Sequence, residues 1–146
     1  MDIEKQLDTI ITARLPQGAE AMDRVVRGHI KLGGNTDGDF VPLKYPRASD
    51  GSTDRPLNHT GRHLLGSLDH QSDAQSCRVT STFIGARVHQ FGATITPRRA
   101  ARLRVPIWNN GQGGVLRLKR VTIPARPYMT LTEFDKKLVA TAIAQG

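Results

Sequence analysis

The stretch VHQFGATI, residues 88–95, places a histidine and an amide beside an aromatic residue and a glycine, and an arginine-rich run follows it. His89 is the candidate for acid–base chemistry, because imidazole exchanges protons near neutral pH. A catalytic histidine needs partners, yet the serines and the one thiol carry no nucleophile elbow, local signature or paired acid. We therefore expect no enzymatic activity and interpret His89 as a structural residue.

Metal-binding patterns are incomplete. The start of a calcium loop is imitated by Asn35, Asp37 and Asp39, but Phe40 stands where that loop needs glycine and Pro46 where it needs glutamate. His59 and His63 lie four apart without the glutamate of an HExxH zinc site. These patterns favour a plain turn and solvated histidines, and we expect neither metal nor cofactor.

A basic cluster is the strongest chemical feature of the chain. It comprises Arg98, Arg99, Arg102, Arg104, Arg117, Lys119 and Arg120. Alternation along strands would place Arg102 with Arg104 and Arg117 with Lys119 on shared faces, and Trp108 is the one aromatic residue beside them. The cluster favours a solvated or subunit-facing surface, with a nucleic-acid site as the alternative.

The bulk properties fit one basic domain. The chain has 146 residues, enough for a single domain over 1–146, and its 21 Lys and Arg against 13 Asp and Glu give a net charge of +8. That charge favours an acidic partner. Cys77 is the only cysteine, which suggests a reducing cytoplasm, and we expect no export signal and no membrane span.

Helices are predicted at both ends. Apolar residues at Ile3, Leu7, Ile10, Ile11 and Leu15 predict a first amphipathic helix that ends before Pro16. A second helix is expected over residues 19–32, and a short one after Thr60 with an apolar face of Leu64, Leu65 and Leu68. Thr132 and Asp135 form a capping box for a last helix, whose buried stripe should be Phe134, Leu138, Val139, Ala142 and Ile143.

The middle of the chain predicts strands and one long loop. Residues 33–57 are rich in Gly, Pro, Asp and Ser, which indicates a loop or ordered arm rather than core. Strands are expected at 76–85, with Cys77 facing the core, and at 93–96, 103–107 and 115–123, the last two forming a hairpin. The fold class is therefore α+β, with an antiparallel sheet of about four strands flanked by N-terminal helices and a C-terminal helix.

Two joints connect these elements. Gly92 should end a helical turn over 86–91, with Phe91 anchored in the core and with His89 and Gln90 bonded to the backbone that enters the next strand. In IPARPY, Pro124 should end a strand. Pro127 restricts Arg126 to extended geometry, from which Arg126 could tie the strand end to a helix or to a neighbouring subunit.

Four stretches, FVPLKYP, PLNHTGRHLLGSL, VHQFGATITPRRAARLRVP and VTIPARPYMTLTEFD, give the chain its resemblance to the phage virion morphogenesis family of Mu-like phages, also called tail completion proteins. The resemblance covers most of the chain. Its markers in this sequence are TGR with Leu64, Ser67 and Leu68, then HQFG, then PARPY.

The resemblance implies a structural virion protein without catalysis. Such a protein would act at the head-proximal end of the tail or in the neck, as a tail terminator or in head–tail joining. It would form a ring, most often a hexamer and in some cases a dodecamer, and would contact tail tube, sheath or neck proteins and the DNA that passes through the channel. The candidate interface or lumen-facing residues are Asp37, Asp39, Phe40, Lys44, Tyr45, Arg98, Arg99, Arg102, Arg104 and Trp108.

Overall fold

One long helix opens the fold. The computed structural model describes residues 2–47, 50–54, 56–58, 63–107 and 112–146. Helix α1 spans Ile3–Leu32, begins at Asp2, whose carboxylate accepts from Glu4 N, and ends at Gly33 in the left-handed conformation. The prediction of two separate helices is therefore wrong, because Pro16 lies inside one helix.

Packing keeps α1 continuous across Pro16. Proline has no N–H, so the carbonyl of Thr12 loses its intrahelical partner. Leu15, Gly18 and Ala19, on either side of the proline, are all buried. Their contacts with the rest of the protein offset the lost hydrogen bond, and local propensity alone does not decide the outcome.

Short strands and two further helices complete the chain. The strands are β1 (Gly34–Asn35), β2 (Gly38–Asp39), β3 (Leu68–Ser72), β4 (Cys77–Ser81), β5 (Ala93–Ile95), β6 (Leu103–Ile107), β7 (Gly114–Leu118) and β8 (Val121–Ile123). The helices are a 3-10 turn (Leu65–Ser67), α2 (Ala86–Phe91) and α3 (Glu133–Gln145). The α+β class and the helical ends of the fold are confirmed.

The strands pair in twos instead of forming one sheet of about four strands. The antiparallel pairs are β1–β2, β3–β4, β5–β8 and β6–β7. The last two pairs follow one another along the chain, so β5, β6, β7 and β8 make a two-stranded ribbon, which we call the ribbon. Residues 96–102, TPRRAAR, interrupt one side of it, since Pro97 cannot donate to a ladder.

The core lies between α1, the loop after it and the residues that precede α3. It consists of Val26, Ile30, Phe40, Leu57, Leu64, Leu65, Leu68 and Tyr128. The loop 33–57 thus contributes Phe40 and Leu57 to the core, which corrects its interpretation as a segment outside the core. Phe40, an expected interface residue, is 7% exposed and serves the core instead.

Other apolar expectations have mixed outcomes. The alternation along β4 is confirmed, since Cys77, Val79 and Ser81 are the less exposed residues. Leu64, Leu65 and Leu68 are buried, although the predicted helix is a single 3-10 turn and Thr60 lies outside the described residues. The capping box of α3 is present and Val139 is buried, but Phe134 and Leu138 are exposed.

Candidate functional site

Gly92 lies where the end of α2 comes close to the segment between β8 and α3. Helix α2 ends at Phe91, as expected, and Gly92 has φ of 74° and ψ of 164°. A Cβ on Gly92 would lie 2.8 Å from Ala125 N and 2.9 Å from Ile123 O. Glycine is required here both by the backbone conformation and by the close approach of the chain before α3.

Gln90 fastens α2 to the segment that leads into α3. Its Oε1 accepts from Met129 N at 3.0 Å, and its Nε2 donates to Thr130 Oγ1 at 2.9 Å. The expected bond to the backbone of the next strand is therefore wrong, because the amide faces residues 129 and 130 instead.

His89 is half-buried at this joint. Its carbonyl accepts from Arg126 N at 2.7 Å, and its ring stacks on Phe83 with centroids 6.4 Å apart. Nδ1 is buried and has no hydrogen-bond partner in the described part of the chain. Burial, followed by the positive charge of Arg126, lowers the pKa of His89. Among the described residues, the histidines that pair with a carboxylate are His29, with Asp135, and His70, with Asp23.

Phe91 does not anchor the joint. Its side chain is 70% exposed, although α2 has the expected bounds. The aromatic residue that packs into the joint is Phe83, which borders the core and contacts both His89 and His63. A six-residue helix has too few turns for its spacing to reveal which face is buried.

Arg126 connects the joint to the long loop. The side chain is 2% exposed; Nε donates to Val41 O at 2.8 Å and Nη2 to Pro42 O at 3.2 Å. Burial lowers the pKa of Arg126. Within the chain, Arg126 therefore ties the strand end to the long loop and not to a helix, as one of the two expectations had it. Pro124 follows β8 directly, as expected, and Pro127 precedes the fully buried Tyr128.

A second buried polar group was not predicted. His29 Nδ1 lies 2.8 Å from the carbonyl of Tyr128, and Nε2 lies 3.2 Å from Asp135 Oδ2. Asp135 Oδ2 also accepts from Thr132 N and Thr132 Oγ1, which in turn bonds Thr36. The sequence indicates only that His29 lies on the apolar side of a predicted helix. That position does not show which residue the imidazole will bond.

A groove lies between the long loop and the ribbon. Its volume is about 540 Å³, and loop residues 43–47 form one wall. The ribbon supplies the half-buried apolar side chains of Val105, Leu118, Val121 and Ile123, and cationic groups come from Lys44 and Arg120. His89 and Arg126 also line it. Such a surface suits non-covalent binding of an apolar segment that carries negative charge.

The basic cluster is exposed at every described position. Arg98, Arg99 and Arg102 lie on the interrupting segment, and Arg104 and Arg117 are direct cross-strand partners. Like charges directly opposite each other destabilise a strand pair unless an anion lies over them. Trp108 lies outside the described residues. The structure thus brings the arginines together on the ribbon and its interrupting segment.

The remaining candidates lie in the first half of the long loop and at its middle. Asp37 and Asp39 are exposed in the β1–β2 hairpin, where Asn35 Oδ1 accepts from Asp37 N. Lys44 Nζ sits 5.5 Å from the centre of the Tyr45 ring. No group of three His, Cys, Asp or Glu in the described ranges could hold a metal ion. No described helix has the length and apolar character to cross a membrane.

Comparison with known proteins agrees with the resemblance. A sequence profile of the phage virion morphogenesis family matches residues 9–146, nearly the whole chain. Neither the curated proteins nor the solved structures give a match. Because the profile spans the helices, the ribbon and the joint alike, the chain belongs to the phage virion morphogenesis family and is a phage virion assembly protein.

Proposed function

We propose that this protein forms a ring at the head-proximal end of a phage tail or in the neck, where it completes the tail and joins it to the head. Its partners are other copies of itself, most often six, together with tail tube, sheath or neck proteins, and DNA passes through the channel. The protein acts by assembly, without catalysis, cofactor or metal, within virions built in the host cytoplasm.

The observation that carries this proposal is the exposure of large apolar side chains at several places on the surface. Ile3 is 71% exposed, Ile84 97% and Phe91 70%, and Leu7, Ile10, Ile11, Phe134 and Leu138 are about half exposed. Ile3, Leu7, Ile10 and Ile11 recur at helical spacing and form one exposed apolar stripe, and contiguous apolar surface of this kind is typical of partner-binding sites. In a virion assembly protein, the partners are other virion subunits.

Electron microscopy tests the proposal at two levels. Purified protein, alone or mixed with tail tube protein, should form closed rings. A lysate of the phage lacking this gene should accumulate separate heads and tails. Monomeric protein together with normal virions from the deletion would contradict the proposal.

A nucleic-acid-binding module is the second candidate, because the positive charge of the chain is segregated. Residues 74–132 contain ten Lys and Arg and no Asp or Glu, whereas residues 1–73 contain nine basic and eleven acidic residues. A dedicated module would bind duplex DNA as a monomer, with affinity that falls steeply as salt rises. Fluorescence anisotropy at several salt concentrations separates this candidate from a subunit that meets DNA only inside a ring.

A further inference from the structure

The first turns of α1 extend beyond the element that packs beside it. Helix α3 runs antiparallel to α1, from the contact of Asp135 with His29 to the contact of Ala144 O with Arg14. Thr12 Oγ1 donates to Ala74 O at 2.9 Å, so the β3–β4 turn meets α1 at that position. Residues 3–11 lie N-terminal to these contacts and make a projection of about 14 Å.

This projection carries an apolar stripe with acidic neighbours. Ile3, Leu7, Ile10 and Ile11 recur at helical spacing, and all four are about half exposed or more. At 100° per residue, Glu4 and Asp8 lie beside the stripe, whereas Lys5 and Thr9 lie opposite it. These turns are the end of a 30-residue helix, and burial of their apolar stripe against a partner would stabilise them further.

The groove between the loop and the ribbon has the complementary character. Val105, Leu118 and Val121 give it an apolar wall, and Lys44 and Arg120 give it positive charge. A five-residue strand such as β6 is about 17 Å long, close to the length of the projection. The groove and the projection are therefore similar in length, both carry apolar surface, and their charges are opposite in sign.

We infer that residues 3–11 of one copy dock into the groove of a second copy of this chain. The charge distribution favours this occupant. Residues 2–8 contain three acidic residues and one lysine, while the ribbon belongs to the stretch 74–132, which has no acidic residue. The inference rests on the proposed function, because it names the contact through which the ring would form.

Distance prevents a chain from docking on itself. The groove lies near the C-terminal end of α1, since His29 bonds the carbonyl of Tyr128, two residues after the groove residue Arg126. Ile11 precedes His29 by 18 residues, which is about 27 Å along the helix. Two different surfaces at opposite ends of α1 give a head-to-tail contact, and such contacts close into rings or continue as filaments.

Cross-linking between engineered cysteines tests the contact. In a Cys77→Ser background, Leu7→Cys labels the stripe, and Thr122→Cys labels an exposed residue of the groove. A short bismaleimide should join a mixture of the two single variants into dimers only. The double variant should give a ladder of larger species. Thr9→Cys, on the opposite side of the helix, replaces Leu7→Cys as the matched control and should cross-link far less.

The same reaction in purified virions distinguishes this inference from the proposed function. If the protein is present in virions but the double variant gives no ladder, the docking contact is overturned and the virion role stands. Dimers from Leu7→Cys alone would also overturn it, since they would show two stripes pairing. If the protein is absent from virions and its deletion leaves them normal, the proposed function itself fails.

A charge exchange gives a measurement that does not depend on cross-linking. Asp8→Arg and Arg120→Glu should each raise the dissociation constant of the oligomer by about tenfold, because each places like charges together. The two changes in one chain should restore it to within about threefold of the original value. Additive weakening in the double variant, measured by sedimentation, would overturn the inference.

Discussion

At the scale of single residues, the joint is held by polar side chains that bind backbone groups. Arg126 satisfies two carbonyls of the long loop, and Gln90 satisfies one backbone N–H and one hydroxyl. These bonds lie between segments far apart in the sequence, so each one fixes a tertiary contact. Loss of one partner leaves buried groups without hydrogen bonds, which costs more than the bond itself contributes.

Replacing Arg126 with lysine should destabilise the protein although the charge is kept. One ammonium group cannot reproduce the planar pair of donors that reaches Val41 and Pro42. We expect the free energy of unfolding in urea to fall by about 2 kcal/mol. Arg87→Lys, at an exposed position of α2, is the control and should leave it unchanged. Equal urea midpoints for the two variants would contradict this account of Arg126.

His89 should make the fold sensitive to mild acid. Its pKa is lowered in the folded protein, while the unfolded chain takes up a proton near the ordinary value of 6.5. Below that pH the unfolded state binds more protons, so stability falls as the pH is lowered. The urea midpoint of the wild type should drop between pH 7.5 and 5.5 by more than that of His89→Phe, which keeps a ring against Phe83. Parallel curves would show that His89 contributes nothing to this dependence.

At the scale of elements, two glycines should respond in opposite directions to the same substitution. Gly92→Ala adds a Cβ against Ala125 and Ile123 at positive φ, so it should lower stability by about 2 kcal/mol or more. Gly28→Ala adds a Cβ with nothing within 4 Å inside α1, so it should raise stability by about 1 kcal/mol. Thermal unfolding of both variants measures the contrast. A stabilised Gly92→Ala variant would contradict the close approach of Gly92 to Ile123 and Ala125.

Local signals predicted the elements that short-range chemistry determines. Gly92 ends α2, and Thr132 with Asp135 caps α3, because each feature depends on residues within one turn. Pro16 misled the prediction, since buried neighbours outweigh its missing N–H. The exposure of Phe134 and the burial of Phe40 depend on which segments approach them in space. The same limit applies to Arg126, whose partners lie more than 80 residues away.

At the scale of the whole molecule, charge is separated along the chain and in space. The stretch 74–132 accounts for all of the net positive charge, and much of it lies on the ribbon and its interrupting segment, while the projecting end of α1 is acidic. Such a monomer is not optimised for its own stability, because Arg104 and Arg117 face each other across the ribbon. The same separation favours contact between copies in one orientation and opposes others.

Arg104→Glu should therefore stabilise the monomer while it weakens assembly. In the isolated chain the change turns a repulsive cross-strand pair with Arg117 into an attractive one, which should raise the free energy of unfolding by about 0.5 kcal/mol. Arg104 lies on the exposed face of the ribbon, opposite the groove residue Val105. We propose that this basic face also meets an acidic virion partner, so fewer rings and fewer joined virions should form. Arg87→Glu makes the same change in net charge away from the ribbon and should do neither. Urea unfolding and electron microscopy of a complemented lysate measure the two effects, and a stabilised variant that assembles normally would show that the paired arginines do not serve assembly.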